Sequence, residues 1–396
     1  MSITEEQKAI VKSTAPILKE NGKEITSVFY KRLFEAHPDL LNVFNHANQK
    51  QGSQPLALAN VVYFAAENID KLEVLMPEVN IVAHKHRSLN VQPEHYPIVG
   101  KYMLQAIAEC LGDQATPEIL DAWSAAYKVI ANIFIETESK LYAQLGDNEN
   151  DKGFIPFIIV KKEKIADGPI YSFEIKRRDG KKLLDYHSGQ YITLRIKKNE
   201  FFHNRHYGLV RPFDGKVYRV GIRQVNNCEP KGIFSNELIE NYREGDTILA
   251  SLPAGTFSIV DSAKHHLFIA GGVGITVLST MIEALHKQGK SDMVTLIHCV
   301  PGKEYAPYTT RIKNCVPEKQ FHLLYQGRHL LKELIKKTLT SETHVYLCGA
   351  APFMNTVEDY LEEFEFPSLQ IHMNAFRPSM SMIRNAVKDQ STTKSL

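Results

Sequence analysis

The hydrophobic pattern of this 396-residue chain changes its period at one polar stretch, Gly146-Asp147-Asn148-Glu149-Asn150-Asp151-Lys152-Gly153. From Thr4 to about Leu145 apolar residues recur at three and four, glycine is scarce, and Pro38, Pro77, Pro93 and Pro117 stand near helix starts. That predicts an all-α domain. Beyond the stretch come short β-rich runs, Phe157 to Val160, Tyr171 to Ile175, Tyr191 to Ile196, Val217 to Ile222 and Thr247 to Leu252, parted by Gly, Asp and Pro turns. Their spacing predicts a small antiparallel barrel. From His265 onward strands alternate with helices: His266 to Ala270, a Gly-rich turn, helix Val277 to His286, then strands Met293 to Val300, Phe321 to Tyr325 and His344 to Leu347 before a further helix. This is the pattern of a parallel α/β unit. The expected architecture is multidomain: residues 1–146 all-α, residues 153–262 an antiparallel β-barrel, and residues 263–396 α/β with a parallel sheet.

Charge and cysteine usage narrow the function. Lys plus Arg number 47 against 45 for Asp plus Glu, without a basic block interleaved with aromatics, so neither nucleic acid nor a membrane surface is indicated. No apolar run approaches the ~20 residues of a membrane span. The five cysteines are odd in number and lack a Cys-x-x-Cys pair, which argues against a disulfide framework and against zinc or iron–sulfur sites. Met1 to Lys8 shows no signal pattern, and the final Lys-Ser-Leu transposes the peroxisomal tripeptide. The expectation is a cytoplasmic monomer acting on small molecules.

Within the helical part, Val82, His86 and Leu89 share one face, whereas His84 falls beside Asn80, Arg87 and Ser88 on a more polar one. His86 is thus expected to point inward. A lone inward histidine is more often a satisfied core residue than a ligand. On the helix from Pro117, Trp123, Tyr127, Ile130, Phe134, Glu138 and Leu141 form one stripe, which puts a carboxylate among apolar side chains. Glu138 either reaches water at a helix end or finds a buried partner. Tyr96 lies on a similar stripe with Val99, Met103 and Ile107, where taken alone it reads as core rather than functional.

Four segments carry a resemblance. Val28-Phe29-Tyr30-Lys31-Arg32-Leu33-Phe34, Asn42-Val43-Phe44-Asn45, Ala83-His84-Lys85-His86 and Asp121-Ala122-Trp123-Ser124-Ala125-Ala126-Tyr127 resemble the globin half of flavohaemoglobins. The resemblance implies haem b with His86 as the proximal iron ligand, Phe44 packed on the haem, Lys85 in the pocket, and Tyr30, Gln54 and Leu58 on the distal side. It also implies that Glu138 and Tyr96 bond the other nitrogen of His86, which makes an imidazole more basic and favours oxygen activation.

The remainder of the chain resembles the reductase half of that family. Arg205-His206-Tyr207-Gly208, after Gly189-Gln190-Tyr191, is similar to the Arg-x-Tyr-Ser signature of flavin barrels, and Lys231-Gly232-Ile233-Phe234-Ser235-Asn236 to the loop that completes the FAD pyrophosphate site. Gly271-Gly272-Val273-Gly274-Ile275-Thr276 follows a strand and opens a helix, so it reads as a dinucleotide phosphate loop or as a plain tight turn. Val345-Tyr346-Leu347-Cys348-Gly349 matches the second half of the pattern; by resemblance Cys348 and Gly349 approach the nicotinamide of NADH or NADPH, and Phe376 covers the flavin. The acid or Arg/Ser that would tell NADH from NADPH is not evident after Val300.

Departures from the pattern cluster at hydride transfer. Gly208 stands for a Ser, Val277 and Ala350 for Pro, Asn374 for a Glu and Arg377 for a Gly, and the stretch between Val300 and Tyr325 is short. They predict slow flavin reduction, which Gly208→Ser with Asn374→Glu would speed. The implied activity is oxidation of nitric oxide to nitrate with oxygen and NAD(P)H. The competing expectations are an oxygen- or nitric-oxide-binding globin with an impaired reductase, and a reductase for another acceptor whose globin lacks haem.

Overall fold

A computed structural model describes residues 3–44, 53–146, 148, 151–166, 168–225, 232–325 and 328–374. The backbone forms two compact units, one of Met1–Gly153 with Lys197–Asn204, the other of Phe154–Ile196 with Arg205–Phe376. The first is helical. Helix α1 (Glu5–Ala36) starts on a reciprocal cap in which the Thr4 hydroxyl accepts the Gln7 amide and the Gln7 side chain accepts that of Thr4. A 3₁₀ turn (Pro38–Asn42) leads towards α2 (Ser53–Glu67), then α3 (Met76–Ser88), α4 (His95–Leu111) and α5 (Pro117–Ala143). Pro77 and Pro117 occupy first-turn positions, where the missing N–H costs nothing. Pro16, by contrast, lies inside α1.

Val11, Phe29, Leu33, Met103, Ile107 and Trp123 build the core of this unit. The Trp123 indole donates to Thr14 Oγ1 at 2.9 Å, so its N–H is satisfied within the core. Gly100 lets α4 and α5 approach, since a Cβ there would lie 2.4 Å from Tyr127 Cε1. The segment Lys197–Asn204 belongs to this unit, where the Phe202 amide donates to Asn42 Oδ1 at 2.7 Å.

The second unit holds two sheets. Strands β1 (Ile155–Lys164), β2 (Ile170–Arg177), β3 (Tyr191–Lys198), β4 (Phe201–Gly208), β5 (Tyr218–Arg223) and β6 (Thr247–Ala250) stand in the order β4-β3-β6-β1-β2-β5. A bridge from Leu209 to Val220 joins the two ends of that order, so the antiparallel sheet closes on itself. Alternation of buried and exposed residues along β1 puts Ile155, Phe157 and Ile159 inside. Helix α6 (Ile233–Asn241) follows β5.

The other sheet is parallel, with β7 (His265–Gly271), β8 (Val294–Val300), β9 (Phe321–Tyr325), β10 (Thr343–Cys348) and β11 (Ile371–Asn374) in the order β11-β10-β7-β8-β9. Helices α7 (Ile275–Lys287), α8 (Thr309–Lys313), α9 (Arg328–Thr338) and α10 (Ala351–Glu363) connect the strands. Phe268, Leu278, Met281, Leu296 and Tyr346 pack on one face, and Leu267, Ile297, Leu331, Val345 and Val357 on the other. Both faces are covered, as a parallel sheet requires. The all-α, barrel and α/β classes expected from periodicity are all present.

Candidate functional site

In the helical unit the side chains singled out by their apolar stripes meet. Helix α3 carries His86 in its last turn, and His86 Nδ1 lies 2.7 Å from Glu138 Oε1 on α5 and 3.1 Å from the Tyr96 hydroxyl on α4. Tyr96 Oη donates to the same carboxylate oxygen at 2.6 Å, and Tyr127 Oη fixes the turn by donating to the Tyr96 carbonyl at 2.6 Å. Burial, reinforced by the Glu138 charge, pushes the Tyr96 phenol well above its ordinary range, which keeps it a donor. With Nδ1–H donating to the Glu138 carboxylate oxygen, Nε2 keeps its lone pair. Glu138 is buried, whereas the His86 side chain retains 32% of its exposure. The histidine is thus oriented from behind and open in front, the arrangement of a metal-ligating imidazole held by its rear partners.

The polar face assigned to His84 is corrected by the structure. Arg87 and Ser88 are buried at 5% and 1% exposure, because α5 reaches over the end of α3, where Tyr142 Oη donates to the Val91 carbonyl at 2.9 Å. His84 is itself drawn down to about 4 by burial, and Lys85 down to about 8. Tyr30, on α1, is buried against Phe29, Phe34 and Phe44, with Leu58 of α2 packed on the same cluster. The side chain of Gln54 lies outside the described residues.

In the second unit, Tyr191 of β3 is buried with its ring 4.9 Å from that of His206, and His206 Nδ1 is 2.7 Å from Thr193 Oγ1. Arg205 and Tyr207 of β4 are half-buried, and the Tyr207 ring packs 5.9 Å from Phe234 at the start of α6. Gly232 sits at the cap position of α6, where a Cβ would press on Val225 Cβ at 2.9 Å and Ser235 Oγ at 3.0 Å. Asn236 spends its carboxamide on Val225, accepting its amide and donating to its carbonyl, each at 3.1 Å. It is a clamp on the chain that leads into the helix.

The glycine loop is built as its sequence suggests. Gly272 adopts φ +54°, open to glycine without strain, and Gly274 packs so closely on β10 that a Cβ would lie 2.2 Å from the Cys348 carbonyl oxygen. Gly271 and Gly349 both lie against the ring of Phe353 on α10, a neighbour that sequence reasoning missed. Thr276 Oγ1 donates to the Val273 carbonyl at 2.8 Å. Cys348 is wholly buried and its thiol is pushed up to about 12, so what it offers the loop is its carbonyl. Phe376 and Arg377 lie outside the described residues. Asn374 ends β11 beside Cys348, and its buried Nδ2 finds no hydrogen-bond partner among the described residues.

Gly208 corrects an expectation. A Cβ at this position would lie 2.2 Å from Val277 Cγ2, a stiff and fully buried side chain on the first turn of α7. The two departures at 208 and 277 are one packing solution, so Gly208→Ser by itself meets a wall.

Fold and site together define a globin joined to a flavin- and nicotinamide-type reductase module. A globin family model matches residues 27–134. The flavohemoprotein of Halalkalibacterium halodurans is 38% identical over 96% of this chain and 98% of its own. Among solved structures, the flavohemoglobin of Malassezia yamatoensis with bound FAD and heme aligns at a TM-score of 0.84 with 26% identity, covering 95% of this chain and 100% of that one. The Flavohem-like FAD/NAD-binding domain of nitric oxide dioxygenase from Vibrio cholerae aligns at 0.51 with 26% identity over 56% of this chain and 97% of that one. By its identity over nearly the whole length, the chain belongs to the flavohemoprotein family.

Proposed function

We propose that this protein oxidises nitric oxide to nitrate, combining one nitric oxide, one oxygen molecule and one electron, with the electrons drawn from NADH or NADPH. The observation that carries the reading is His86 bonded through Nδ1 to Glu138, with Tyr96 on the same oxygen. Haem b at His86 supplies iron for oxygen chemistry, and FAD on the barrel turns a two-electron reductant into single electrons. His86 Nε2 is the ligand atom in this reading. Glu138 and Tyr96 raise its basicity and fix its plane, which favours activation over storage. Tyr30 donates its hydroxyl on the distal side, which Gln54 and Leu58 also line, while Phe44 packs on the haem face and Lys85 belongs to the pocket beside His86.

Arg205, His206, Tyr207 and Tyr191 hold the flavin on β3 and β4, and Gly232 with Ser235 and Asn236 shapes the turn that receives its phosphates. Gly271 to Gly274, Thr276 and the backbone of Cys348 and Gly349 receive the nicotinamide dinucleotide. The unpartnered Asn374 Nδ2 fits a ligand acceptor there. Residues 1–146, 153–262 and 263–396 serve as haem, FAD and NAD(P) domains, and Phe376 covers the flavin. No helix among the described residues is long and apolar enough to cross a membrane. The reading includes a monomer acting in the cytoplasm.

A second reading, an oxygen- or nitric-oxide-binding globin with an impaired reductase, draws on Val277 filling the space beside Gly208. One experiment separates the two. Purified protein is scanned for a Soret band and then mixed anaerobically with NADH or NADPH; flavin bleaching followed by haem reduction is the expected course, with nitric oxide consumed once oxygen and nitric oxide are admitted. A Soret band with no flavin bleaching selects the second reading. His86→Ala is expected to lose haem and keep flavin, whereas His84→Ala keeps both; haem retained in His86→Ala with an unchanged ferrous spectrum overturns the ligand assignment.

A further inference from the structure

His298 takes no part in the site as drawn so far, yet it touches the glycine loop. It lies near the end of β8 at 2% exposure, with Nε2 2.9 Å from the carbonyl oxygen of Gly272. A carbonyl only accepts, so Nε2 carries the proton. The backbone amide of Ile275 bonds the same oxygen, which uses both of its lone pairs. Because a trans peptide is planar, with C=O and N–H opposed, a Gly272 carbonyl turned towards His298 sends the Val273 N–H the other way, away from His298.

A Cβ built on Gly272 meets nothing within 4 Å, and Val273 is half-buried. The turn is held from within by hydrogen bonds: Gly272 to His298 and Ile275, and Val273 to Thr276. We infer that His298 is a positioning residue for the reduced dinucleotide, fixing the Gly272–Val273 peptide so that the Val273 amide meets a phosphate oxygen. Burial draws the imidazole down to about 4, so it stays neutral and keeps this bond throughout the neutral range. The inference rests on the nicotinamide reading of the loop.

The test compares His298→Met with His298→Gln in the full-length protein, since the two side chains are similar in length and differ in whether they donate. Anaerobic stopped-flow flavin reduction, run over a range of NADH and NADPH concentrations, gives an apparent Kd and a limiting rate. His298→Met is expected to raise Kd by roughly tenfold, the loss of one ordered hydrogen bond, with the limiting rate within about twofold of wild type. His298→Gln is expected to recover most of that loss. Equal Kd values for wild type and the Met variant overturn the assignment, as does an equal loss in both variants accompanied by a lowered melting temperature. Should neither variant fold, hydrogen exchange in the wild type decides: slowed exchange at the Val273 amide on adding NAD⁺ supports the role, and unchanged exchange overturns it. A wild-type flavin that neither nucleotide binds or reduces removes the nicotinamide reading and this inference together, an outcome distinct from tight wild-type binding that is indifferent to residue 298.

Discussion

Gly208 owes its identity to a neighbour 69 positions along the chain, since its own backbone does not require glycine. A hydroxymethyl group forced against Val277 overpacks a filled site, which costs about 1–3 kcal/mol. Gly208→Ser is therefore expected to lower the melting temperature, and Gly208→Ser with Val277→Ala to regain it; only the pair tests whether a hydroxyl there speeds flavin reduction. A single variant as stable as wild type, measured by thermal denaturation, would show that the backbone yields. Glu138 presents the opposite case, one side chain that satisfies two. Glu138→Ala strips the acceptor from both His86 Nδ1–H and Tyr96 O–H and is expected to destabilise by about 1–3 kcal/mol. Glu138→Gln keeps a carbonyl acceptor and should sit closer to wild type in urea melts, while its haem shows a weaker push from His86.

At the scale of elements, the end of β4 is pinned by two helices. Thr280 Oγ1 of α7 donates to the Leu209 carbonyl, and Arg311 of α8 donates to the Val210 carbonyl at 2.9 Å while pairing with Glu283 at 2.5 Å. Burial raises Glu283 and Arg311 opposes that rise. Arg311→Met leaves a mostly buried carboxylate without its cation, at a cost of about 2–4 kcal/mol. Adding Glu283→Gln should recover part of it in a double-mutant cycle, and strictly additive losses would deny the coupling. This pinning segment falls in the stretch between Val300 and Tyr325 that reads as short. Its function is invisible to periodicity, because α8 is five residues long. Strand β4 itself escapes the period-two pattern, since Phe201-Phe202-His203-Asn204-Arg205-His206-Tyr207-Gly208 buries Gly208, His203 and Asn204 in no alternation. β11, Ile371-His372-Met373-Asn374, carries no β-rich run and gives no strand signal.

Over the whole molecule, buried neutral histidines tie stability to pH. His266 and His298, at 1% and 2% exposure, are both drawn down to about 4 by burial, against about 6.5 in an unfolded chain. Between those values the unfolded state binds more protons than the folded one. Stability is then full above pH ~6.5 and falls as pH drops towards 4, by of order 1–2 kcal/mol for each histidine at pH 5. Melting temperature followed from pH 8 to pH 5 should decline over that window, and His266→Phe should flatten the decline. A flat wild-type profile would mean that these imidazoles are not held neutral.

The sequence by itself determined the three structural classes, because periods of 3.6 and 2 and the alternation of strand with helix are local and repeat along the chain. It also determined that His86, Tyr96 and Glu138 stand on apolar stripes, since a polar group in an apolar period is visible one helix at a time. Only the tertiary structure decided that these three share one oxygen atom, that Arg87 and Ser88 lie buried under α5, that Val277 occupies the place of a Gly208 side chain, and that His298 reaches the Gly272 carbonyl. Each of these joins residues from different elements, and the direction of a side chain across such a gap is fixed by packing and by the need to pair buried polar groups, neither of which leaves a period in the sequence.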